Sequence, residues 1–179
     1  MHHQKTSVAG LPVLYLDFDG VLHHYDVHLD ERNRPILRGM GTLFEYAEGL
    51  EAALAPYPDV QIVLSTSWVR VKGFDWSRRR LPSGLRERVV GATWRSAFEL
   101  DPDFFSWWVQ EASRYEQIAH DVALRKPIDW LALDDDDIGW PKGARSNLVA
   151  CDPLFGLSEP STRLSLEVRL GRWTREPCP

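Results

Sequence analysis

The sequence predicts an α/β fold built on a parallel sheet. Five short apolar runs recur along the chain, and each is followed by polar residues. Between them lie stretches whose apolar residues recur at helical spacing. Runs that are apolar on both faces are typical of strands buried in a parallel sheet. Alternating strands and helices therefore favour a three-layer, Rossmann-like α/β architecture.

The predicted elements follow one another in chain order. The five apolar runs predict strands at residues 12–16, 60–64, 89–92, 130–133 and 148–151. The helical patterns predict helices at residues 41–55, 107–124 and 161–173. Two stretches carry many turn-forming and charged residues and predict, in order, a loop or short hairpin and an irregular excursion: residues 23–38 and 71–84.

Composition is that of an ordinary globular protein. Of the 179 residues, 44% are hydrophobic and 26% are charged, and the formal net charge is -5. This length predicts a single domain over residues 1–179, with a core of about residues 12–173 and flexible ends. No apolar run approaches the roughly 18 residues that a membrane helix needs, so we expect no membrane partner.

Cysteine usage and charge indicate the setting. Cys151 lies in an apolar run and Cys178 near the end of the chain, a pattern that does not suggest a disulfide framework. We therefore expect a reducing, cytoplasmic compartment. The mild acidity disfavours nucleic-acid binding over the whole surface but leaves room for a local basic patch.

The strongest chemical signal is the segment Asp17-Phe18-Asp19-Gly20, directly after the first apolar run. Two carboxylates at a strand end can converge on one cation, as the hard oxygen ligands that Mg²⁺ prefers. Gly20 lets the backbone turn where side chains would crowd. A simple turn that caps the strand is the alternative interpretation.

Polar residues also follow the second and fourth apolar runs. The hydroxyls of Ser65, Thr66 and Ser67 could donate hydrogen bonds to phosphate oxygens or simply cap the next helix. The four aspartates at residues 134–137 repel one another, and a bound divalent cation would relieve that repulsion. The alternative for these aspartates is a solvated acidic loop. Sites in parallel sheets lie off the carboxyl ends of the strands, where all of these groups are expected.

A phosphate site that contains several carboxylates needs a cation to balance the charge. Arg114 precedes the helical stretch that leads into the acidic strand, and Lys126 lies nearer to that strand. Either residue could instead be a solvated surface charge. The sequence leaves both candidates open.

The order of these motifs resembles that of the haloacid dehalogenase (HAD) superfamily of phosphohydrolases. The matching segments, within about residues 12–155, are residues 17–22, 62–68, 130–135 and a basic residue at 114 or 126. The segments LSTSW and WLALDDD also resemble small bacterial and phage HAD-like domains, including those in composite RNA-repair proteins. The resemblance implies a sheet in the order 3-2-1-4-5, with Asp17 at the end of the central strand.

The resemblance further implies a covalent mechanism. Asp17 would attack phosphorus, and Asp19 would protonate the leaving oxygen and later activate water. Mg²⁺ would be held by Asp17, the backbone carbonyl of Asp19, and Asp135 or its neighbour Asp134. An acid at position 19 favours hydrolysis or phosphotransfer over dehalogenation.

Further roles are implied for the hydroxyl and basic residues. Thr66 would hold the phosphoryl group, with Ser65 and Ser67 as substitutes. Arg114 or Lys126 would stabilise the charge on nucleophile and phosphate. Lysine is usual at this position of the superfamily, whereas Arg114 has the better place in the chain and can clamp phosphate with two donors.

Substrate preference must be inferred from the segments around these motifs. The stretches between the motifs are too short for a folded cap domain, so the chain resembles cap-less members, whose open sites tend to admit large substrates. Residues 70–95 are rich in arginine, with Arg78, Arg79 and Arg80 in succession, and tryptophans lie between them. This combination suits phosphates and stacked bases, although a solvated basic face is the alternative. His23 and His24 would touch substrate or belong to a solvated loop.

Two functions are consistent with these observations. The first is a Mg²⁺-dependent phosphatase acting on a nucleotide, a nucleic-acid end or another phosphorylated molecule. The second is a non-catalytic or regulatory phosphate-binding module on the same fold. The intact pair of Asp17 and Asp19 favours the enzyme, because a degenerate module would have no reason to keep the second aspartate.

Overall fold

The computed structural model describes residues 10–174. The ends predicted to be flexible, Cys178 among them, lie outside the described residues. The strands are β1 (Val13–Leu16), β2 (Val27–Leu29), β3 (Pro35–Leu37), β4 (Gln61–Leu64), β5 (Val89–Ala92), β6 (Trp130–Asp134) and β7 (Leu148–Ala150). The α-helices are α1 (Ala47–Leu54), α2 (Ser67–Lys72), α3 (Phe74–Arg78), α4 (Ser83–Arg88), α5 (Pro102–Gln110), α6 (Arg114–Arg125) and α7 (Pro160–Leu170). Short 3-10 helices lie at Ser96–Leu100, Lys142–Asn147, Gly156–Ser158 and Gly171–Thr174.

Five strands form one parallel sheet in the order β5-β4-β1-β6-β7. Counted along the chain, these five strands have the order 3-2-1-4-5, which confirms the prediction. Strand β1 lies at the centre, where Val13 is opposite Gln61 of β4 on one side and Trp130 of β6 on the other. The carboxyl ends of β1, β4 and β6 therefore meet at one edge of the sheet, each followed by polar residues.

Side chains of β1 alternate between two cores, one on each face of the sheet. Leu14 and Leu16 belong to the larger core, which also includes Leu50 of α1. Val13 and Tyr15 belong to the smaller core, where they meet Ile118 of α6. Because both faces of the strand are covered, all four of its residues are buried, as its continuous apolar run predicts.

Insertions between the sheet strands are small within residues 10–174. The segment after β1 holds an antiparallel hairpin, β2–β3, in which Val27 is opposite Leu37. This hairpin corresponds to the loop or short hairpin predicted at residues 23–38. None of the described insertions is large enough to be a folded cap domain.

The helix predicted at residues 107–124 is in fact two helices, α5 and α6. The break occurs because Ser113 caps α6: its hydroxyl accepts from the backbone N–H of Glu116, and the Glu116 carboxylate accepts from the N–H of Ser113 at 2.7 Å. This reciprocal capping box makes Arg114 the first residue of α6. No helix within residues 10–174 is long and apolar enough to cross a bilayer.

A buried carboxylate fastens α6 to the sheet. Asp121 accepts a hydrogen bond from the hydroxyl of Tyr15 at 2.9 Å and pairs with Arg125 at 2.9 Å and Arg95 at 3.2 Å. Tyr15 is fully buried, and this burial, together with the charge of Asp121, raises the pKa of its hydroxyl. The network joins the central strand, the helix and the loop after β5.

Replacing Asp121 by Ala is expected to lower the free energy of unfolding by about 3 kcal/mol, because the Tyr15 hydroxyl and two guanidiniums lose their shared partner. Tyr15→Phe should cost only about 1 kcal/mol, since Arg95 and Arg125 still satisfy Asp121. Urea denaturation followed by circular dichroism measures both losses. The exposed control Asp59→Ala should change stability by less than about 0.5 kcal/mol; a similar change for Asp121→Ala would contradict the network.

Candidate active site

Asp17 lies at the centre of the site, one residue beyond β1. Its carboxylate is buried, with 5% of the residue exposed. One oxygen accepts from the backbone N–H of Phe18 at 2.7 Å, and the other lies 3.2 Å from a terminal nitrogen of Arg114. Burial raises the pKa of Asp17, while the guanidinium of Arg114 opposes that rise and the charge of Asp19 adds to it. The carboxylate is thus desolvated, and the guanidinium of Arg114 balances its charge.

Arg114 joins two acidic segments. Besides Asp17 it meets Asp134, at the end of β6, with 3.0 Å between its Nε and Oδ2 of that carboxylate. Its side chain is 16% exposed. Burial acts to lower the pKa of Arg114, but Asp17 and Asp134 outweigh it and hold the pKa above its usual value. Arg114 is therefore a fixed cation at the site.

Lys126 does not reach the site. It caps the opposite end of α6, where it is exposed and has a left-handed backbone with φ of 52°. A helix of 12 residues is about 18 Å long, which separates Lys126 from the end where Arg114 meets the carboxylates. Of the two cations that the sequence left open, only Arg114 lies beside Asp17.

Three carboxylates come together at this edge of the sheet. One oxygen each of Asp17, Asp134 and Asp135 lies within 4.8 Å of the others. Oδ2 of Asp134 is buried and meets Arg114 only as an ion pair, since this contact lacks the geometry of a hydrogen bond and no other described residue donates to that oxygen. Burial raises the pKa of Asp134, and burial together with the charge of Asp17 raises that of Asp135 to about 7. When all three carboxylates are ionised, one guanidinium leaves two negative charges, which a divalent metal ion at this cluster would balance.

The outer members of the acidic run are placed differently. The backbone N–H of Asp136 donates to Asp134 at 3.0 Å. Asp137 is exposed and pairs with Arg145 at 3.0 Å. Asp134 and Asp135 thus belong to the cluster, the backbone of Asp136 supports it, and Asp137 lies on the surface.

Gly20 makes the convergence of the two acidic segments possible. Its φ is 67°, in the left-handed region that favours glycine. A Cβ at this position would collide with Oδ2 of Asp135. The glycine therefore provides room for a carboxylate of the cluster, which gives a physical reason for a glycine directly after Asp19.

Asp19 is held by two donors on its own side of the site. Both of its oxygens lie 2.9 Å from the indole N–H of Trp68, and one lies 3.0 Å from Nε2 of His23. The Nδ1 atom of that histidine accepts from the backbone N–H of Phe44 at 3.2 Å. In the neutral ring, Nε2 therefore carries the hydrogen, and this N–H donates a hydrogen bond to Asp19. The Asp19 side chain remains 28% exposed, oriented but accessible.

The partners of Asp19 were not predicted from the sequence. His23 is fully buried, which differs from both roles expected for it, a solvated loop or a substrate contact. Trp68 is 49 residues from Asp19 along the chain and has no local pattern that points to the contact. The spacing of four residues between Asp19 and His23 only weakly indicates their contact. Whether the two side chains meet depends on the turn between them, which the sequence does not specify.

The three hydroxyl residues after β4 occupy different environments. Thr66 caps α2, where it accepts from the N–H of Trp68 at 3.4 Å, and its hydroxyl lowers the pKa of Asp17. Ser65 is fully buried, and its hydroxyl has no partner among the described residues. Ser67 is exposed. Thr66 also lines a cavity of about 220 Å³ together with Arg114.

The three consecutive arginines also separate. Nε of Arg78 donates to the backbone carbonyl of Arg86 at 3.0 Å, which ties α3 to α4. Arg79 and Arg80 are exposed and line a groove beside Trp76. Arg80 lies over the ring of Trp76, with 4.2 Å from its guanidinium carbon to the ring centroid.

Comparison with known proteins identifies the family. A family model described as the HAD domain in Swiss Army Knife RNA repair proteins matches residues 13–162. The chain belongs to this family. The match spans every strand of the sheet and both acidic segments of this HAD domain, and it supports HAD-type hydrolase chemistry in general. A search of the curated proteins found no match, and a search of the solved structures found none either.

Gly20→Ala is expected to destabilise the HAD domain by more than about 1 kcal/mol, because an L-residue there adopts a left-handed backbone and its Cβ collides with Asp135. The matched control is Gly143→Ala, at a glycine whose Cβ would meet nothing within 4 Å. That control should leave the free energy of unfolding unchanged or slightly raised. Equal values for the two variants in urea denaturation would show that Gly20 is not needed for space.

Proposed function

We propose that this HAD domain is a Mg²⁺-dependent phosphatase that hydrolyses a phosphomonoester through an aspartyl-phosphate intermediate. Its substrate is a phosphorylated nucleotide or nucleic-acid end. The observation that carries the proposal is the buried carboxylate of Asp17, 3.2 Å from Arg114 and grouped with Asp134 and Asp135. The description of the matched family as a domain of RNA repair proteins supports a nucleic-acid substrate.

In the first step, a carboxylate oxygen of Asp17 attacks phosphorus and the bond to the leaving oxygen breaks. Protonated Asp19 gives its proton to that oxygen, so the product leaves as an alcohol. In the second step, the carboxylate of Asp19 takes a proton from water. The resulting hydroxide attacks phosphorus, which releases inorganic phosphate and restores Asp17.

The surrounding residues of the chain prepare these steps. Arg114 offsets the negative charge that builds up as an anionic nucleophile approaches an anionic phosphate. The Thr66 hydroxyl next to Asp17 is available to a phosphoryl oxygen. His23 and Trp68 hold the carboxylate of Asp19 in one orientation, which favours proton transfer along a fixed path.

The acidic cluster fits a magnesium ion. Asp17, Asp134 and Asp135 would hold it, and the convergence of one oxygen from each of them and the room left by Gly20 support that ligand set. Carboxylate oxygens are the ligands that Mg²⁺ prefers. When bound, the ion supplies positive charge that offsets the repulsion between carboxylates and phosphate.

Asp17→Asn is expected to abolish turnover, because a carboxamide is a poor nucleophile. Asp19→Asn should slow turnover by about 10²–10⁴-fold, the usual contribution of general acid–base catalysis. Phosphate release from a small aryl phosphate in the presence of Mg²⁺ measures both rates. The control is Asp137→Asn on the exposed end of the acidic run, which should keep the parent rate.

Two results would contradict this mechanism. Parent-like rates in Asp17→Asn, purified free of other phosphatases, would exclude the covalent intermediate. No Mg²⁺-dependent phosphate release by the parent from aryl phosphate, nucleotides or phosphorylated oligonucleotides would favour a non-catalytic phosphate-binding module instead.

Magnesium is expected to stabilise the folded parent protein and so to raise its melting temperature. The free energy of unfolding should rise by about 2.7 kcal/mol when the Mg²⁺ concentration is one hundred times the dissociation constant of the ion. Asp135→Asn should melt higher than the parent without metal, because burial and the charge of Asp17 make the ionised form of Asp135 unfavourable. The same variant should gain much less from Mg²⁺. Differential scanning fluorimetry measures the melting temperatures without and with Mg²⁺, with Asp137→Asn as the control. An increase on adding Mg²⁺ as large in Asp135→Asn as in the parent would exclude Asp135 as a ligand.

A further inference from the structure

We propose that the groove between the β2–β3 hairpin and helices α2–α3, named here the hairpin groove, binds the phosphate backbone of a single strand next to its reacting terminal phosphate. This inference rests on the proposed phosphatase function and assigns the part of the molecule that holds the body of the substrate. The hairpin groove has a volume of about 560 Å³. Its walls include Arg32, Arg34, Lys72, Trp76, Arg79 and Arg80.

The charge of the hairpin groove is opposite to that of the chain as a whole. Five of its lining residues are cationic and none is acidic, although the formal net charge of the protein is -5. Of the five, Arg34 is offset by an ion pair of 2.8 Å with Asp30. The other four form no ion pair with an acidic side chain within residues 10–174, so they remain to meet an anion. A single-stranded nucleic acid, which carries a phosphate at every nucleotide, matches such a groove better than a small phosphorylated metabolite does.

Aromatic and backbone contacts hold these cations in place. Lys72 and Arg80 both lie over the ring of Trp76, at 5.2 and 4.2 Å from its centroid. Lys72 also donates to the backbone carbonyl of Asn33 in the hairpin turn at 2.5 Å, which joins the two walls. Cations fixed in this way lose less side-chain freedom when they bind phosphate.

The hairpin groove leads to the general acid. A neighbouring cavity of about 130 Å³ shares Pro35, Trp68 and Lys72 with the groove, and Asp19 also lines it. Trp68 donates to Asp19 and packs 5.7 Å from Trp76 between ring centroids. Because Asp19 protonates the leaving oxygen, the rest of the substrate must extend from the site on the Asp19 side. On that side lies the cavity that shares Pro35, Trp68 and Lys72 with the hairpin groove.

A second opening lies beside the groups that would hold the phosphoryl oxygens. The cavity of about 220 Å³ at Thr66 and Arg114 continues to Arg70 and Trp108, and Asp19 does not line it. A substrate whose body lay there would place its leaving oxygen away from the acid. This cavity is the alternative binding place for the body of the substrate, and the experiment must distinguish it from the hairpin groove.

Binding is measured first, with a single-stranded oligonucleotide that has no terminal phosphate and therefore cannot turn over. In fluorescence anisotropy, the double variant Arg32→Ala/Arg80→Ala is expected to bind about tenfold more weakly than the parent. Its plot of log affinity against log salt should be shallower by about 1.4, at about 0.7 for each phosphate that the variant no longer neutralises. The charge-matched control Lys142→Ala/Arg163→Ala removes two exposed cations elsewhere and should match the parent.

Kinetics then separate this inference from the proposed function. The Arg32→Ala/Arg80→Ala protein should show a raised KM for an oligonucleotide with a 3′- or 5′-terminal phosphate and unchanged hydrolysis of a small aryl phosphate. Parent-like oligonucleotide binding and KM in that variant, with a loss in Arg70→Ala instead, would overturn the hairpin groove while leaving the phosphatase intact. Groove-dependent binding without hydrolysis of any phosphate by the parent would support the groove and overturn the phosphatase.

Discussion

The site depends on one buried guanidinium. Arg114 meets Asp17 from the central strand and Asp134 from its neighbour, at 3.2 and 3.0 Å. Removing a carboxylate from water costs several kcal/mol unless it is paired, and here two buried carboxylates share one cation. The position of this cation is fixed by the capping box of Ser113 and Glu116, which makes Arg114 the first residue of α6. A local feature of the chain thus determines the charge balance of the reacting centre.

Helix α6 is fastened to the central strand at two levels. At its first residue, Arg114 pairs with Asp17, beyond the carboxyl end of β1. About two turns later, Asp121 accepts from Tyr15 inside the strand. Two such contacts fix both the height and the rotation of the helix against the sheet. The polar network around Asp121, on the face of the sheet that carries the smaller core, therefore supports the geometry of the site.

The sequence predicted the sheet because strands that are buried on both faces are apolar at every position. Such strands can be recognised as short apolar runs. It also predicted that the segments of Asp17 and Asp135 converge, since parallel strands end at the same edge. It did not distinguish Arg114 from Lys126, because the apolar pattern continues across the break at Ser113, and only the Ser-x-x-Glu signature marks the start of α6. The contact of Trp68 with Asp19 has no local signal, since it depends on how α2 packs against the turn after β1.

An acidic protein can bind a polyanion when its opposite charges are kept apart. At physiological ionic strength, charges more than about 8 Å apart are largely screened from each other in water, so local potential matters more than net charge. Here Trp68 stands between the two regions: its indole N–H holds Asp19, and its ring packs against Trp76, beneath the cations of the hairpin groove. The carboxylates that carry out the proposed chemistry are therefore separated from the cations that would hold the strand. A terminal phosphate could approach the acidic cluster only once the charge of the cluster is offset, so the proposed groove and a metal ion at the cluster would be complementary parts of one site.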